Sequence, residues 1–200
     1  RYLNLLHDRG QRRLPLERVY RNLRNRDLFL MAYSKLYANA GAMTNGTDPQ
    51  DTIDGMSLDR IDAVIRSLAD GTFRWKPTKR IYIPKANGKL RPLSIPSWTD
   101  KLVQEVMRLV LEAYYEPQFS SHAHGFRPGR GCHTALAEIA DKWKGTRWFI
   151  EGDIKGCFDN IDHDILLGLI GKNIKDNRLL KLLRQMLKAG YLDNWRYHHT

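Results

Sequence analysis

The sequence predicts an α+β fold in which helix dominates, with strand confined to a small antiparallel hairpin and one further strand. Two observations predict it. Apolar residues recur three and four positions apart over most of the chain, and a proline-rich stretch at residues 72–98 places an Asn-Gly pair between two short β-type runs. With 42% hydrophobic residues, the 200-residue chain can bury a substantial core in one domain or two small ones.

The amino-terminal part begins with helical periodicity. Residues 1–40 carry apolar side chains at helical spacing, and the pattern ends at Gly41. Asn-Gly, Asp-Pro and Asp-Gly pairs then predict a loop over residues 41–57, because each pair favours a turn. A second helical pattern starts at Ser57 or the next residue and ends at Gly71.

The proline-rich stretch predicts an exposed β-hairpin. Its strands are expected at about residues 80–83 and 90–95, around a turn over residues 85–89. Pro84 and Pro92 favour an exposed ribbon over a central strand, since proline cannot donate a hydrogen bond to a neighbouring strand.

The second half of the chain mixes helices, a loop and a strand. A helix follows Ser97 or Thr99 and ends before Pro117, and a glycine-rich basic loop then leads into a helix from about Cys132 to Trp143. The remaining predicted elements are a strand at residues 147–154, a helix from near Asp162 to about Gly171 and a helix near residues 176–189.

The charge of the chain favours a polyanionic partner. Lys and Arg number 33 against 22 Asp and Glu, for a net charge of +11. Nucleic acid is the default ligand for such an excess, with a merely soluble basic surface as the alternative. No apolar run approaches the ~18 residues of a membrane-spanning helix, so we expect no membrane partner.

Cys132 and Cys157 stand outside any Cys-x-x-Cys spacing, which favours a reducing, intracellular setting. A zinc site is not predicted, because the order His-x-His-x7-Cys-His matches no familiar zinc-binding spacing. The residues of that pattern are His122, His124, Cys132 and His133.

The stretch WFIEGDIKGCFDNIDHDIL, residues 148–166, gathers four Asp in a basic chain. Asp153 falls at the carboxyl end of the predicted strand, where a carboxylate can hold a hard cation such as Mg²⁺ or cap a turn. The local sequence leaves both readings open. We interpret Asp159, Asp162 and Asp164 as turn and helix N-terminal residues.

Two basic segments are candidates for binding phosphate groups. The hairpin cations can surround a triphosphate, because Arg grips two oxygens at once, or they can protect a solvated edge strand from aggregation. Those cations are Lys79, Arg80, Lys85, Lys89 and Arg91. The segment HGFRPGRG offers Arg127 and Arg130 between glycines, and a phosphate contact and a rigid turn both remain open there.

Taken together, these motifs resemble a known family. The order of IYIPKANGKLRPLSIPSWTDKLVQEVMRLVLEAYYEPQFSSHAHGFRPGRGCHTAL, WFIEGDIKGCFDNIDHDIL and LKAGYL closely resembles the reverse transcriptase region of group II intron-encoded proteins, or maturases. GAMTNGTDPQDTIDGMSL resembles the N-terminal segment that distinguishes them from retroviral enzymes. The resemblance implies right-hand polymerase fingers with a truncated palm, from an enzyme that copies RNA into DNA and assists intron splicing and mobility.

The resemblance also implies residue roles. Asp153 matches the first metal-binding aspartate of the palm, Ile154 would lend its backbone carbonyl to Mg²⁺, and Phe158 matches the bulky residue under the incoming sugar. The implied contacts to the dNTP are Lys85 and Arg91, assisted by Arg80. The implied RNA or template contacts are Arg12, Arg13, Lys79, Arg127 and Arg130.

One departure limits the expected activity. The family's remaining palm carboxylates lie in a Tyr/Phe-x-Asp-Asp motif, and these 200 residues contain no Asp-Asp pair. We therefore expect the chain alone to bind RNA without polymerising, with Mg²⁺ bound only in the intact enzyme. A non-catalytic RNA-binding or dimerisation module is the alternative.

The expected organisation is an N-terminal helical extension and loop at residues 1–56, fingers at residues 57–146 and a partial palm at residues 147–200. The expected partners are intron RNA, an RNA template with its DNA primer, a dNTP and, through exposed palm surface, a second copy of the chain. The expected compartment is the bacterial cytoplasm, or an organelle.

Overall fold

The computed structural model describes residues 1–39 and 41–200. Its helices are α1 (Tyr2–Gln11), α2 (Val19–Asn22), α3 (Arg26–Tyr37), α4 (Leu58–Asp70), α5 (Trp98–Tyr115), α6 (Cys132–Lys142), α7 (His163–Asn173) and α8 (Asn177–Leu187). Its strands are β1 (Leu16–Glu17), β2 (Thr78–Pro84), β3 (Leu90–Ile95), β4 (Ile174–Lys175), β5 (Tyr191–Asp193) and β6 (Arg196–His198). The predicted α+β class is confirmed.

Helix α5 forms the centre of the core. Its apolar side chains recur at helical spacing, so one stripe is buried against α1 and α3. The contact with α1 is close at Gly10, where an added Cβ would lie 2.0 Å from the Tyr114 carbonyl oxygen. The buried stripe of α5 comprises Leu102, Val103, Val106, Met107, Val110 and Tyr114.

The main sheet has the strand order β3-β2-β5-β6. Strands β2 and β3 are antiparallel, whereas β2 and β5 are parallel and pair only at Thr78 with Tyr191 and Lys79 with Leu192. Strands β5 and β6 form a second hairpin around Asn194. A separate two-stranded sheet joins β1 to β4.

Most of the predicted elements are confirmed. The loop over residues 41–57 contains no helix or strand, α4 ends at Gly71 with φ +74°, and the proline-rich hairpin forms as expected. Asp162 and Asp176 accept hydrogen bonds from the first backbone N–H groups of α7 and α8. These local signals are strong because each satisfies an otherwise unpaired helix terminus.

The helical prediction for residues 1–40 is only partly right. The described part of this segment has three helices, and the short strand β1, which pairs with β4, separates the first helix from the other two. The chain leaves α1 through Arg12 and Arg13, and Arg13 has φ +52°. Pro15 then precedes β1, and a proline disfavours helix in the residue before it.

The predicted strand at residues 147–154 is wrong. This segment has no regular structure, and its apolar side chains are exposed, with Trp148 at 88% and Ile150 at 95%. None of β1–β6 pairs with it in the described chain. A strand without neighbours leaves its backbone N–H and C=O groups without protein partners, so an apolar alternation alone does not produce one.

In the part of the chain that the structure covers, no helix is both long and apolar enough to cross a membrane.

Candidate nucleotide and nucleic-acid interface

The hairpin of β2 and β3 presents its basic residues at an exposed tip. The backbone N–H of Lys85 donates to the Lys89 carbonyl at 2.7 Å, and Gly88 has φ +77°, a conformation that glycine adopts without strain. Lys85, Lys89 and Arg91 are exposed. The tip is therefore a tight, cationic turn held by its own backbone.

The strand register places the predicted dNTP contacts on two different faces. Arg91 on β3 lies opposite Ile83 on β2, whereas Arg80 on β2 lies opposite Ser94 on β3. Arg80 and Ile83 are separated by an odd number of positions on β2. Because directly opposed side chains share a face and successive ones alternate, Arg80 and Arg91 project from opposite sides of the ribbon. The structure therefore does not bring Arg80 together with Arg91.

The face that carries Arg80 is held against β5. The Arg80 guanidinium lies 3.9 Å from the centre of the Tyr191 ring, a cation–π contact. On the same face, the Tyr82 hydroxyl donates to Asp193 Oδ2 at 2.6 Å, and this bond raises the pKa of Tyr82. The Nε of Arg80 is buried and has no hydrogen-bond partner among residues 1–39 and 41–200. Arg80 thus fastens the base of the hairpin.

Tyr191 and Asp193 were missed by the sequence analysis. They act on the hairpin only because β5 pairs with β2, and β5 is three residues long. Such a short run gives little periodicity. The available signal was the turn residue Asn194 between two β-type triplets, YLD and RYH.

The hairpin cations have no carboxylate partners in the described chain. Lys79, Lys85, Lys89 and Arg91 make no ion pair with any Asp or Glu among residues 1–39 and 41–200. Their charge is therefore available to an external anion. Phosphate groups suit it, since Lys and Arg bind phosphate oxygens strongly.

Asp153, Ile154 and Phe158 lie in the exposed segment after α6. Phe158 begins a single turn of 3₁₀-helix, Phe158–Asn160, and its side chain is 82% exposed. Among the described residues, no group of three or more His, Cys, Asp or Glu side chains could hold a metal ion. The residues around Asp153 therefore do not by themselves fit a Mg²⁺ centre, which needs several oxygen ligands.

Two of the other acidic residues of this stretch, Asp162 and Asp164, have structural roles. Asp162 Oδ1 accepts from the N–H groups of Asp164 and Ile165, which confirms it as the cap of α7. Asp164 lies in the first turn of α7 and pairs with Arg184 of α8, and that pair lowers the Asp164 pKa. Asp159 lies in the 3₁₀ turn. Among the described residues, neither Asp153 nor Asp159 is given a side-chain hydrogen bond or ion pair, whereas Asp162 and Asp164 are.

The HGFRPGRG segment is internally braced. Arg127 donates to both carboxylate oxygens of Glu116 and to the carbonyls of Ser120 and Ala123, and only 9% of its side chain is exposed. Arg130 donates to the Ser121 carbonyl. The rigid-turn reading therefore holds for both arginines, and a contact with RNA stays a prediction.

The histidines of this segment bind a carboxylate. His124 Nε2 lies 2.8 Å from Glu138 Oε2, and His122 bonds the other oxygen of the same carboxylate. The bond from His122 has the larger effect and the bond from His124 the next largest, and together they lower the pKa of Glu138 to about 2. Glu138 thus joins the loop to α6. Two of the histidines that were considered as zinc ligands, His122 and His124, bond this carboxylate.

Arg12 and Arg13 are exposed in the connection after α1, and Lys79 is exposed on β2. They lie in separate elements, so the described structure presents several basic surfaces. An RNA contact by these residues stays a prediction.

Comparison with known proteins decides the family. The model of the reverse transcriptase (RNA-dependent DNA polymerase) family matches residues 83–199, which include β3, α5 and the segment around Asp153. The chain belongs to the reverse transcriptase family. This match starts within the hairpin and runs almost to the last residue, so it covers more than half of the chain.

The relatives of the chain include a group II intron-encoded protein. It is 54% identical to the group II intron-encoded protein LtrA of Lactococcus lactis over 184 residues, covering 92% of this chain and 31% of that protein. It is 52% identical to the 91 kDa protein in the cob intron of Schizosaccharomyces pombe, covering 99% and 24%. The resemblance to group II intron-encoded proteins is thereby confirmed.

A plant relative extends the comparison. The nuclear intron maturase 1, mitochondrial, of Arabidopsis thaliana is 32% identical over 182 residues, covering 81% of this chain and 25% of that protein. The chain thus spans about a third or less of the length of these three relatives.

Proposed function

We propose that the chain forms the fingers, at residues 57–146, and part of the palm, at residues 147–200, of an RNA-directed DNA polymerase that also binds its intron RNA to assist splicing and mobility. Residues 1–56 form the N-terminal extension. The function rests chiefly on the family match over residues 83–199. The cationic hairpin tip, whose Lys85, Lys89 and Arg91 have no carboxylate partner in the part of the chain that the structure describes, supports it independently.

In this function the hairpin tip binds the incoming dNTP. Lys85 and Arg91 neutralise the triphosphate from the tip and from one face of the ribbon, and Phe158 packs under the sugar. Arg80 lies on the other face, so it assists by holding the base of the hairpin on Tyr191. Positive charge placed around a triphosphate stabilises the negative charge of the reacting phosphates.

Asp153 contributes one ligand for Mg²⁺, with the Ile154 carbonyl beside it. Further acidic ligands are proposed to come from another part of the enzyme, because the described residues supply no cluster of three. The chain alone is accordingly proposed to bind RNA without polymerising. Its RNA contacts are proposed at Arg12, Arg13, Lys79, Arg127 and Arg130.

The proposed partners are intron RNA, an RNA template with its DNA primer, and a dNTP. A second copy of the chain is a further candidate, because Trp148, Phe149 and Ile150 are exposed apolar side chains in sequence. The proposed compartment is the bacterial cytoplasm or an organelle, in keeping with the bacterial and mitochondrial relatives.

A non-catalytic RNA-binding module is the second candidate function. Among the described residues, no group of three or more His, Cys, Asp or Glu could hold a metal ion, which favours this function for the chain by itself. The two functions differ in what they require of Asp153. A polymerase needs its carboxylate for DNA synthesis, and an RNA-binding module does not.

A chimeric protein tests the proposal. The chain replaces the matching third of LtrA, to which it is 54% identical, and primer extension on an RNA template is measured with and without Asp153→Asn. We expect the substitution to abolish DNA synthesis and to leave RNA binding intact, whereas Asp159→Asn serves as the matched control. DNA synthesis at the unsubstituted rate by the Asp153→Asn protein would refute the metal role.

A further inference from the structure

A basic cleft lies between the N-terminal segment, the end of α4 and helix α8, and none of the predicted contact residues lines it. It consists of two adjoining hollows that share Tyr20 and Arg178. The first, of about 370 Å³, is lined by Arg18, Arg21, Arg24, Lys175 and Arg178. The second, of about 150 Å³, is lined by Arg74, Arg178 and Lys181. We call these two hollows the basic cleft.

The charge of the basic cleft is not neutralised internally. None of its seven cationic side chains pairs with an Asp or Glu among residues 1–39 and 41–200. Its one lining carboxylate, Asp176, is already used, because it accepts from the N–H groups of Tyr20, Arg178 and Leu179. The cleft therefore presents uncompensated positive charge.

Part of this charge is held in place. The Arg178 guanidinium stacks 4.4 Å from the centre of the Tyr20 ring and donates to the Ala69 carbonyl at 3.0 Å. Arg74 donates to the carbonyls of Gly71 and Phe73. Carbonyl partners orient a guanidinium without cancelling its charge, and each guanidinium keeps further N–H donors for a ligand.

Tyr20 is itself fixed between the two walls. Its hydroxyl donates to the Leu68 carbonyl at 2.7 Å, and its backbone N–H donates to Asp176 at 2.8 Å. The same residue thus ties α2 to α4 and to the start of α8. The walls of the cleft hold their spacing before any ligand arrives, which lowers the cost of binding.

The basic cleft is separate from the hairpin tip. Arg74 lies four positions before β2 begins, whereas Lys85 follows directly after it ends. Seven residues of strand, at about 3.3 Å per residue, place the two ends of β2 roughly 20 Å apart. A dNTP bound at the tip therefore does not reach the cleft.

We propose that the basic cleft binds the phosphate backbone of RNA, at a site apart from the nucleotide pocket. The assignment to RNA rests on the proposed function, which supplies RNA as the polyanion. Two small open hollows cannot enclose a folded partner, but a strand laid across them brings successive phosphates to Arg21, Arg178 and Lys181. Such contacts recognise backbone and not sequence.

A salt titration of RNA binding tests the cleft. The 200-residue chain and the double variant Arg21→Gln/Lys181→Gln are titrated with two unrelated 20-nucleotide single-stranded RNAs between 0.05 and 0.5 M salt. Each lost phosphate contact reduces the slope of log K against log salt by about 0.7. We expect the variant's slope to fall by about 1.4 and its affinity at 0.1 M salt to fall roughly 25-fold.

The matched control removes the same charge elsewhere. Arg66 and Lys144 are exposed and line neither hollow, so Arg66→Gln/Lys144→Gln should keep the slope of the unsubstituted chain. Because Arg21 and Lys181 are also exposed, both variants should unfold at the same temperature as the unsubstituted chain. An equal loss of RNA affinity in the two variants would refute RNA binding at the basic cleft, because only the net charge of the chain would then matter.

The remaining outcomes separate the cleft from the proposed function. If the chain binds RNA and the cleft variant keeps its slope, the cleft is refuted and the proposed function stands. If no RNA binds at low salt, both fail. If a poly-glutamate peptide binds with the same dependence on Arg21 and Lys181 and displaces RNA, an acidic protein is the ligand and the RNA assignment is wrong.

Discussion

Asp51 caps helix α5 from a loop 48 positions away: its carboxylate accepts from the backbone N–H of Thr99 at 3.1 Å and from the Thr99 hydroxyl at 2.9 Å. Arg60 of α4 donates to the same carboxylate at 2.5 Å. Asp51 is almost fully buried, so these bonds are shielded from water. One side chain therefore joins the loop over residues 41–57 to both α4 and α5.

Replacing Asp51 should release this loop. We expect Asp51→Ala to lower the free energy of unfolding by about 3 kcal/mol, because several charge-assisted hydrogen bonds are lost. Urea unfolding measures the loss. Asp54→Ala, an exposed position in the same loop, should change stability by less than about 0.5 kcal/mol, and equal losses at the two positions would contradict the capping role.

Asp100 should make stability depend on pH. Burial raises the pKa of Asp100 to about 6, above the unfolded value of 3.8, so the folded chain binds the proton more tightly. The stabilisation from this group is present below pH 4 and is lost as the pH rises to about 6. Asp100→Asn keeps an oxygen that can accept from the Lys76 N–H, which bonds the carboxyl at 2.9 Å, and it does not titrate.

The expected result is a change in relative stability. The Asp100→Asn chain should gain about 3 kcal/mol over the unsubstituted chain between pH 4 and pH 6, measured by urea unfolding at each pH. An NMR titration of the Asp100 carboxyl carbon should show a midpoint near pH 6. Parallel pH profiles for the two chains would contradict the assignment.

Gly10 should tolerate no larger residue. An alanine Cβ there would lie 2.0 Å from the Tyr114 carbonyl oxygen, so α1 must shift away from α5. We expect Gly10→Ala to cost about 1–3 kcal/mol, seen as a lower midpoint in thermal unfolding. Gly168→Ala on α7 is the control, because its Cβ meets open space and should stabilise the helix by up to about 1 kcal/mol.

Arg127 and Glu116 should be energetically coupled. Their paired hydrogen bonds, at 2.8 and 3.0 Å, join the HGFRPGRG segment to the end of α5. A double-mutant cycle with Arg127→Gln and Glu116→Gln should give a coupling of about 1–2 kcal/mol in urea unfolding. Additive losses would show that the two side chains are not energetically coupled and would contradict the bracing role of the pair.

The two arginines of the hairpin should behave differently in the LtrA chimera. Arg91→Gln should lower kcat/KM for dNTP about 10- to 100-fold, the value of one or two charge-assisted hydrogen bonds. Arg80→Gln should instead lower the thermal stability, because it loses the stacking on Tyr191. Steady-state primer extension and thermal unfolding separate these outcomes, and a larger kinetic effect at Arg80 would reverse the assignment.

Elements that depend on interactions between neighbouring residues could be predicted from the sequence, whereas elements that depend on distant residues could not. Gly71, Asp162 and the Asn-Gly turn act on residues beside them, so α4, α7 and the hairpin could be predicted. Strand β5 could not, because its two pairing residues meet β2 from the opposite end of the chain. The strand at residues 147–154 failed for the same reason, since a strand exists only with a neighbour.

In the candidate site, too, local features could be predicted from the sequence and long-range ones could not. The sequence identified which hairpin residues are charged, but the faces on which Arg80 and Arg91 lie depend on a register that only the paired strands define. The basic cleft was likewise invisible, because Arg21, Arg74 and Lys181 are remote in sequence and meet through the packing of Tyr20.

The partial pairing of β2 with β5 divides the hairpin into a fixed base and a free arm. Beyond Lys79, β2 has only β3 as a neighbouring strand, and the Tyr82–Asp193 bond is the last tether of the described chain to β5. The arm from Ile83 to Lys85 is about 10 Å long. Bending of the ribbon is therefore confined to this short free arm, which carries Lys85 and Arg91, while Arg80 remains in the fixed base.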